Sequence, residues 1–204
     1  METLIFDWTN KINEEELKTL IDIIKKDGVI IFPTDTVYGI GCNCYSEKAI
    51  NKIFELKGRD YSKPINVLID SVNKLDELAS SINDIERKLI DKYMPGDFTI
   101  ILKKNDSVSD LLTANLDSVG VRIPNNNIAL EILNRVDLPL GTTSANISGE
   151  AAMCDFNDVV KKFDGKVDAI INGGESEIGV ASTIVRVDDN EIKILRQGNL
   201  KIDI

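Results

Sequence analysis

The sequence contains no histidine among its 204 residues, and aromatic side chains make up only 5% of it. Without histidine the chain has no Ser-His or Cys-His nucleophilic pair, no imidazole general base and no histidine ligand for zinc. The few aromatic side chains leave little surface on which the bases of a nucleic acid could stack. Any chemistry must therefore come from hydroxyl, carboxylate, amide and cationic side chains.

Cysteine is also scarce, since only Cys42, Cys44 and Cys154 are present. Three cysteines are too few for a disulfide framework, and they lack the paired CxxC spacing of a structural zinc site. A reducing compartment fits this pattern best. Cys42 and Cys44 are two residues apart, so on a strand both thiols face one side, and we interpret them as packing residues.

Long apolar runs are missing as well, because nowhere do about eighteen apolar residues follow one another. The short apolar stretch between Glu2 and Asp7 does not have the form of a signal peptide. We therefore expect a soluble, cytoplasmic protein without membrane contact. The net charge of −10 argues against nucleic-acid binding by bulk electrostatics, although an acidic protein can still hold a local basic cleft.

The common nucleotide-binding motifs are absent. No Gly-x-x-x-x-Gly-Lys-Ser/Thr loop occurs, and Gly39-Ile40-Gly41 lacks the third glycine of a dinucleotide fingerprint. The His-Arg-Asp motif of protein kinases cannot occur in a chain without histidine. A P-loop ATPase, a Rossmann dehydrogenase and a protein kinase are therefore disfavoured.

Local signals predict alternating helices and strands. Asn13 with Glu16 has the character of a capping box and begins a helix that ends at Asp27-Gly28, and Ser46 caps a second helix with Lys57 in its last turn. Further strands are predicted at 29–32, 66–69, 98–102, 119–123 and 169–171, further helices from Ser71, from Asn83, at 128–133 and at 156–163, and a hairpin over 183–195. This mixture predicts an α/β fold with a twisted, mixed parallel and antiparallel sheet and packed helices. A hydrophobic fraction of 43% in a chain of this length favours one domain over 1–204.

The segment Pro33–Gly41 is the strongest candidate for a ligand-binding loop. It brings hydroxyls, a carboxylate and a phenol directly after the apolar run 29–32. Ligands of α/β folds bind where buried strands end, so this position favours a binding role. A Pro-Thr turn with glycines for tight geometry is the alternative interpretation.

Cationic residues supply the next candidates. Lys57, Arg59 and Lys63 lie within seven residues, and guanidinium with ammonium groups suits a polyphosphate, although a solvated basic turn would have the same composition. Arg122 lies in an apolar strand, where it needs a carboxylate or a phosphate as partner. Its partner is either a ligand or one of the chain's own acids.

The segment Ser144–Gly149 offers two hydroxyls and an amide. Without histidine to activate it, Ser144 is a better hydrogen-bond donor to phosphate than a nucleophile. In chain order, the sequence carries the motifs Pro33-Thr34-Asp35-Thr36, Lys57-Gly58-Arg59, Lys63-Pro64, Val121-Arg122-Ile123-Pro124, Ser144–Gly149, Ser182-Thr183-Ile184 and Arg196-Gln197-Gly198. This ordered set resembles the YrdC/Sua5 family, the threonylcarbamoyl-AMP synthases, in its short TsaC-type form. The resemblance runs from about residue 15 to 200, and it implies a single YrdC-like domain without the C-terminal domain of the longer Sua5 proteins.

The resemblance implies an activity. It is the synthesis of L-threonylcarbamoyladenylate and pyrophosphate from L-threonine, bicarbonate and ATP with Mg²⁺, a nucleotidyl transfer that supplies the modification of adenosine 37 in tRNA. TsaD, TsaB and TsaE are the implied partners, and direct contact with tRNA stays open. Two alternatives are a carbamoyl-adenylate-forming enzyme that uses carbamoyl phosphate and a non-enzymatic RNA-binding module.

The same resemblance implies site residues. Catalysis is assigned to Lys57 and Arg59, and ATP is placed against Arg59, Lys63, Ser118, Ser144 and Arg196. L-Threonine is placed against Thr34, Thr36, Tyr38, Leu68, Arg122, Thr142 and Ser182, and no metal ligand is assigned. The chain departs from the family pattern at Leu68, Ala152 and Gln197, where related chains often carry histidine, serine and proline.

Overall fold

The backbone of residues 2–203, described by a computed structural model, alternates between strands and helices. The strands are β1 Leu4–Asp7, β2 Ile30–Phe32, β3 Gly39–Asn43, β4 Asn66–Leu68, β5 Ala79–Ser81, β6 Phe98–Lys104, β7 Ser118–Arg122, β8 Leu140–Ser144, β9 Ala169–Asn172, β10 Thr183–Asp188 and β11 Glu191–Arg196. The helices are α1 Glu14–Lys25, α2 Glu47–Lys57, α3 Leu75–Leu78, α4 Asp84–Tyr93, α5 Asp110–Thr113, α6 Asn127–Val136 and α7 Phe156–Phe163.

All eleven strands belong to one sheet with the order β1-β9-β2-β3-β8-β4-β7-β6-β10-β11, and β5 pairs with β6 off this path. Four pairs are parallel, namely β1 with β9, β2 with β9, β4 with β7 and β6 with β10. The remaining pairs, including the β10–β11 hairpin, are antiparallel. The predicted α/β fold with a mixed sheet is therefore confirmed.

Apolar side chains fill both faces of the sheet. On β2, Ile31 packs into one cluster with α2, α4 and α7, whereas Ile30 and Phe32 pack into the other cluster with α1 and α6. Successive side chains of a strand point to opposite faces, so a strand covered on both faces is apolar throughout. This is why 29–32 reads as a continuous apolar run.

The predicted helix ends are confirmed by their caps. The Asn13 side chain accepts hydrogen bonds from the backbone N–H groups of Glu15 and Glu16, and Ser46 accepts one from Ala49. Gly58 follows α2 in the left-handed conformation, with φ of 56°. This conformation ends α2, and the loop that follows carries Arg59 and Lys63.

The structure differs from the sequence prediction in a few places. Pro33–Gly41 is shorter as a loop than predicted, because Gly39 already begins β3 and pairs with Phe32 and Ser144. Strands β1, β3, β5 and β8 and helix α5 were not predicted. Strands β1 and β5 and helix α5 span only three or four residues each, whereas β3 and β8 fall where the sequence analysis placed binding loops. Cys42 and Cys44 are buried as predicted, and burial raises the pKa of the Cys42 thiol to about 12. Within residues 2–203, every helix is too short or too polar to cross a bilayer.

Candidate functional site

A cleft of about 450 Å³ opens at the centre of the sheet. Its walls come from the turn after β2, the loop after α2, strands β4, β6 and β8, and the ends of β10 and β11. The structure brings together eleven of the residues assigned from the sequence: Thr34, Thr36, Tyr38, Arg59, Lys63, Leu68, Arg122, Thr142, Ser144, Ser182 and Arg196. Motifs spread over the whole chain thus meet in one cavity of a size that suits a small ligand.

The charge of the cleft is opposite to that of the protein. Four cationic side chains line it, those of Arg59, Lys63, Arg122 and Arg196, while no carboxylate of residues 2–203 is among its lining groups. The whole chain carries a net charge of −10. Concentrating positive charge in a concave, partly desolvated site favours anionic ligands there over the rest of the surface.

Arg122 has an internal partner. At one edge of the cleft its guanidinium donates to Asp35 Oδ1 at 2.5 Å, to Thr36 Oγ1 at 2.9 Å and to the Gly96 carbonyl at 2.8 Å. Burial lowers the pKa of Arg122, and the carboxylates of Asp35 and Asp97 oppose that effect. Three of the five N–H groups of a guanidinium are used in this way, so two are left without a hydrogen-bond partner among the described residues. An internal ion pair and a ligand contact are therefore compatible.

The two threonines of the binding loop are ordered by the same network. Thr36 Oγ1 accepts from Arg122 and lies 3.0 Å from Thr34 Oγ1, which donates to the Val37 carbonyl at 2.7 Å. Because the Thr34 proton goes to Val37, the Thr36 hydroxyl donates to Thr34. The chain of hydrogen bonds fixes this wall of the cleft before any ligand arrives.

Tyr38 connects the binding loop to the segment after β9. It is fully buried, its hydroxyl donates to the Gly174 carbonyl at 2.7 Å, and burial raises its pKa. The Gly173 N–H donates back to that hydroxyl at 3.3 Å. Tyr38 thereby ties the binding loop to the segment that follows β9.

Two further arginines of the cleft are oriented mainly by backbone oxygens. Arg59 donates to the carbonyls of Lys63 and Pro64 at 3.1 and 2.8 Å, and Arg196 donates to the Ser182 carbonyl at 2.9 Å. Burial lowers the pKa of both guanidinium groups, and for Arg196 the charge of Arg122 adds to this. A guanidinium held by neutral carbonyls keeps its net positive charge available to an anion.

Lys57 and Ser118, both assigned from the sequence, do not line the cleft. The Lys57 side chain is buried, and its ammonium donates to the Ser144 and Asn146 carbonyls and to Asn146 Oδ1. Ser118 begins β7, where it pairs with Lys103. Contact of either residue with a nucleotide stays a prediction.

Several polar residues of the site were not assigned from the sequence, among them Ser62 and Thr143 in the cleft lining. Asp35 was part of the quoted loop, but nothing in the sequence identified it as the partner of Arg122. Asn66 lines the cleft, and a polar residue at the start of an apolar strand was the available signal. Thr99 is buried and lies 2.8 Å from Ser182 Oγ, a contact that only the parallel pairing of β6 with β10 creates.

Known proteins share both the sequence and the fold. The Sua5/YciO/YrdC family model, described as "Telomere recombination", matches residues 22–198. A threonylcarbamoyl-AMP synthase of Pyrococcus abyssi is 35% identical over 98% of this chain, and the chain spans 59% of that protein's length. A putative threonylcarbamoyl-AMP synthase of Methanocaldococcus jannaschii is 36% identical over 94% of this chain and 92% of its own length.

The crystal structure of Pyrococcus abyssi Sua5 complexed with L-threonine superimposes with a TM-score of 0.94 at 36% identity. The match covers 97% of this chain and 58% of that one. The family model thus covers most of the chain, and the fold agrees over nearly its whole length. The chain belongs to the Sua5/YciO/YrdC family.

Proposed function

We propose that the protein is an L-threonylcarbamoyladenylate synthase, which converts L-threonine, bicarbonate and ATP to threonylcarbamoyl-AMP and pyrophosphate. The observation that carries the proposal is the cleft of four cations and no carboxylate among residues 2–203. ATP, bicarbonate and the carboxylate of threonine are all anions. The names of the relatives support this choice, because both are called threonylcarbamoyl-AMP synthases, one of them as putative.

The nucleotide lies on the wall formed by the loop after α2 and the end of β11. Arg59, Lys63 and Arg196 neutralise the phosphates, and the Ser144 hydroxyl donates to a phosphate oxygen. Ser118 keeps its predicted role as an ATP contact, although it lies outside the lining. These cations stabilise the negative charge that builds up on pyrophosphate as it leaves.

Threonine lies in the neighbouring part of the cleft, next to Arg122. Its carboxylate accepts from the two N–H groups of Arg122 that Asp35, Thr36 and Gly96 leave free. The further contacts come from Thr34, Tyr38, Leu68, Thr142 and Ser182, all of which line the cleft. A crystal structure of the Pyrococcus abyssi relative complexed with L-threonine supports a threonine site in this fold.

The reaction needs placement more than acid–base chemistry. The threonine amine takes up bicarbonate with loss of water to give a carbamate, whose oxygen attacks the α-phosphorus of ATP. The bond to the β-phosphate breaks, and pyrophosphate carries away its electron pair. Holding both substrates in one cleft makes the attack effectively unimolecular. The reaction therefore requires no covalent intermediate with the enzyme.

Mg²⁺ enters with ATP as part of that substrate. Among residues 2–203 no three acidic or cysteine side chains come together as metal ligands, and the cleft has no carboxylate of its own. Mg²⁺ is commonly held by substrate phosphates and water with few protein ligands. Transfer of the product to TsaD, TsaB and TsaE, contact with tRNA and a cytoplasmic location stay predictions.

Pyrophosphate release from MgATP tests the proposal, with threonine or bicarbonate omitted in turn and the nucleotide product identified by mass spectrometry. We expect release only when both are present, with the mass of threonylcarbamoyl-AMP. Carbamoyl-phosphate-dependent adenylate formation without threonine would instead support the carbamoyl-adenylate alternative. RNA binding that weakens with salt, without nucleotide turnover, would support the RNA-binding alternative.

A further inference from the structure

Lys57 is a buried cation whose side-chain hydrogen bonds, among the described residues, all go to one turn. It is the last residue of α2 and 1% exposed. Its ammonium donates to the Ser144 carbonyl at 2.5 Å, to the Asn146 carbonyl at 2.7 Å and to Asn146 Oδ1 at 3.0 Å. Its own carbonyl accepts from the Ser148 N–H at 2.8 Å. The end of α2 therefore fixes the 144–148 turn by four hydrogen bonds.

The shape of this turn governs the Ser144 hydroxyl. Ser144 Oγ donates to Asn146 Oδ1 at 2.6 Å, and the Asn146 amide nitrogen donates to the carbonyls of Ile147 and Glu150. Asn146 Oδ1 thus receives two donors, one from Lys57 and one from Ser144. When an acceptor-only phosphate oxygen enters the cleft, the Ser144 proton can turn to it because Lys57 still satisfies the amide oxygen.

Burying the Lys57 ammonium costs its hydration, so its presence in the core calls for a physical explanation. No ion pair among residues 2–203 with N···O within 4.0 Å involves the Lys57 ammonium. Burial together with the charge of Arg59 lowers its pKa to about 7. An apolar side chain of similar length would avoid the loss of hydration. The ammonium does not line the cleft, so it acts on the ligand through the turn.

We propose that Lys57 is a positioning residue for the nucleotide, whose ammonium holds the 144–148 turn so that Ser144 Oγ can donate to a phosphate. This inference rests on the proposed function. It distinguishes Lys57 from Arg59, which lines the cleft two residues later. It also separates the roles of two cations that the sequence presents as one basic cluster.

A double-mutant cycle tests the proposal. The dissociation constant of MgATP is measured by calorimetry for wild type, Lys57→Met, Ser144→Ala and the double variant. A hydrogen bond to a charged group accounts for roughly a tenfold to hundredfold change, so each single substitution should weaken binding by at least about tenfold. If Lys57 acts through Ser144, the double variant should be no more than about threefold weaker than the weaker single variant.

Losses that multiply in the double variant would overturn the inference, because they would indicate a direct contact of Lys57 with the phosphates. Lys52→Met is the matched control: Lys52 lies on the same helix, but its ammonium donates to the Asp27 carbonyl, and ATP affinity should not change. Threonine affinity should also be unchanged in Lys57→Met, whereas a general loss of structure would weaken both ligands and overturn the inference.

If Lys57→Met does not fold, Asn146→Ala replaces it in the cycle, because it removes the oxygen that Lys57 and Ser144 share. Its loss of ATP affinity should again not add to that of Ser144→Ala, and additive losses would overturn the inference. Wild-type protein that binds no ATP would overturn the proposed function itself. Wild-type binding with additive losses would overturn only the role of Lys57.

Discussion

The ion pair of Arg122 with Asp35 should dominate the stability of the cleft. The two side chains are 8% and 5% exposed, and their charged atoms are 2.5 Å apart. Arg122→Met removes the guanidinium and leaves the Asp35 carboxylate buried without a cation, and Asp35 Oδ2 already has no partner among the described residues. Breaking a buried pair in this way costs about 3–5 kcal/mol. At about 2–4 °C per kcal/mol, we expect Tm to fall by about 6–20 °C.

The assay is urea unfolding followed by the fluorescence of Trp8, the single tryptophan of the chain, which is 3% exposed. The matched variants are Asp35→Leu and the double variant Asp35→Leu/Arg122→Met. Each single substitution leaves one charge of the pair buried without the other, whereas the double variant removes both charges of the pair. Because apolar replacement of a whole buried pair is often neutral, the double variant should unfold within about 1.5 kcal/mol of wild type.

Two results would refute this reasoning. One is a loss below about 1 kcal/mol in Arg122→Met, and the other is a double variant that loses the sum of the single losses. Threonine binding gives an independent readout of the same pair. The double variant should recover stability but not threonine affinity, since the guanidinium that holds the carboxylate is still missing.

Three further predictions concern the cleft arginines, the buried Lys57 and the tightly packed Gly198. Arg59→Ala should lower the use of ATP by at least about tenfold, while Arg122→Ala should mainly weaken threonine; unchanged kcat and KM in both variants would contradict the site placement. Lys57 has a pKa of about 7 when folded, below its ordinary 10.5, so the unfolded chain binds more protons between these values. The free energy of unfolding should therefore rise with pH in that window, and Lys57→Met should flatten the rise; parallel pH profiles would count against it. In Gly198→Ala the added Cβ would lie 2.4 Å from the Ala181 carbonyl oxygen and 2.6 Å from the Thr183 nitrogen, so we expect a loss of about 1–3 kcal/mol. A free energy of unfolding in urea within about 0.5 kcal/mol of wild type would contradict this expectation, because it would mean that the backbone at Gly198 shifts at little cost.

Much of the fold was predictable because its signals are local. The caps of α1 and α2 depend on residues at most three positions away, Asn13 with Glu16 and Ser46 with Ala49. The apolar run 29–32 identified β2, and the hairpin at the C-terminal end was visible in two alternating segments. Elements of three or four residues, such as β5 and α5, were missed because they contain too few residues to show a period.

The cleft was predictable in its members but not in its connections. The motifs named eleven of its lining residues, since hydroxyls and cations at strand ends and helix ends indicate a ligand site. They also grouped Lys57 with Arg59, although the structure turns one cation inward and the other to the cleft. The two side chains point to different places because Gly58, in the left-handed conformation, ends α2 between them.

The sequence by itself determined most helices, seven of the eleven strands, the absence of histidine chemistry and the set of polar residues available to a ligand. Only the tertiary structure decided which of them meet. Arg122 and Asp35 are 87 positions apart, as are Lys57 and Ser144. Local patterns carry no information on such pairs, because their contact depends on the order and register of strands in the sheet. A buried charge then selects its partner by proximity and desolvation, which exist only once the chain has folded.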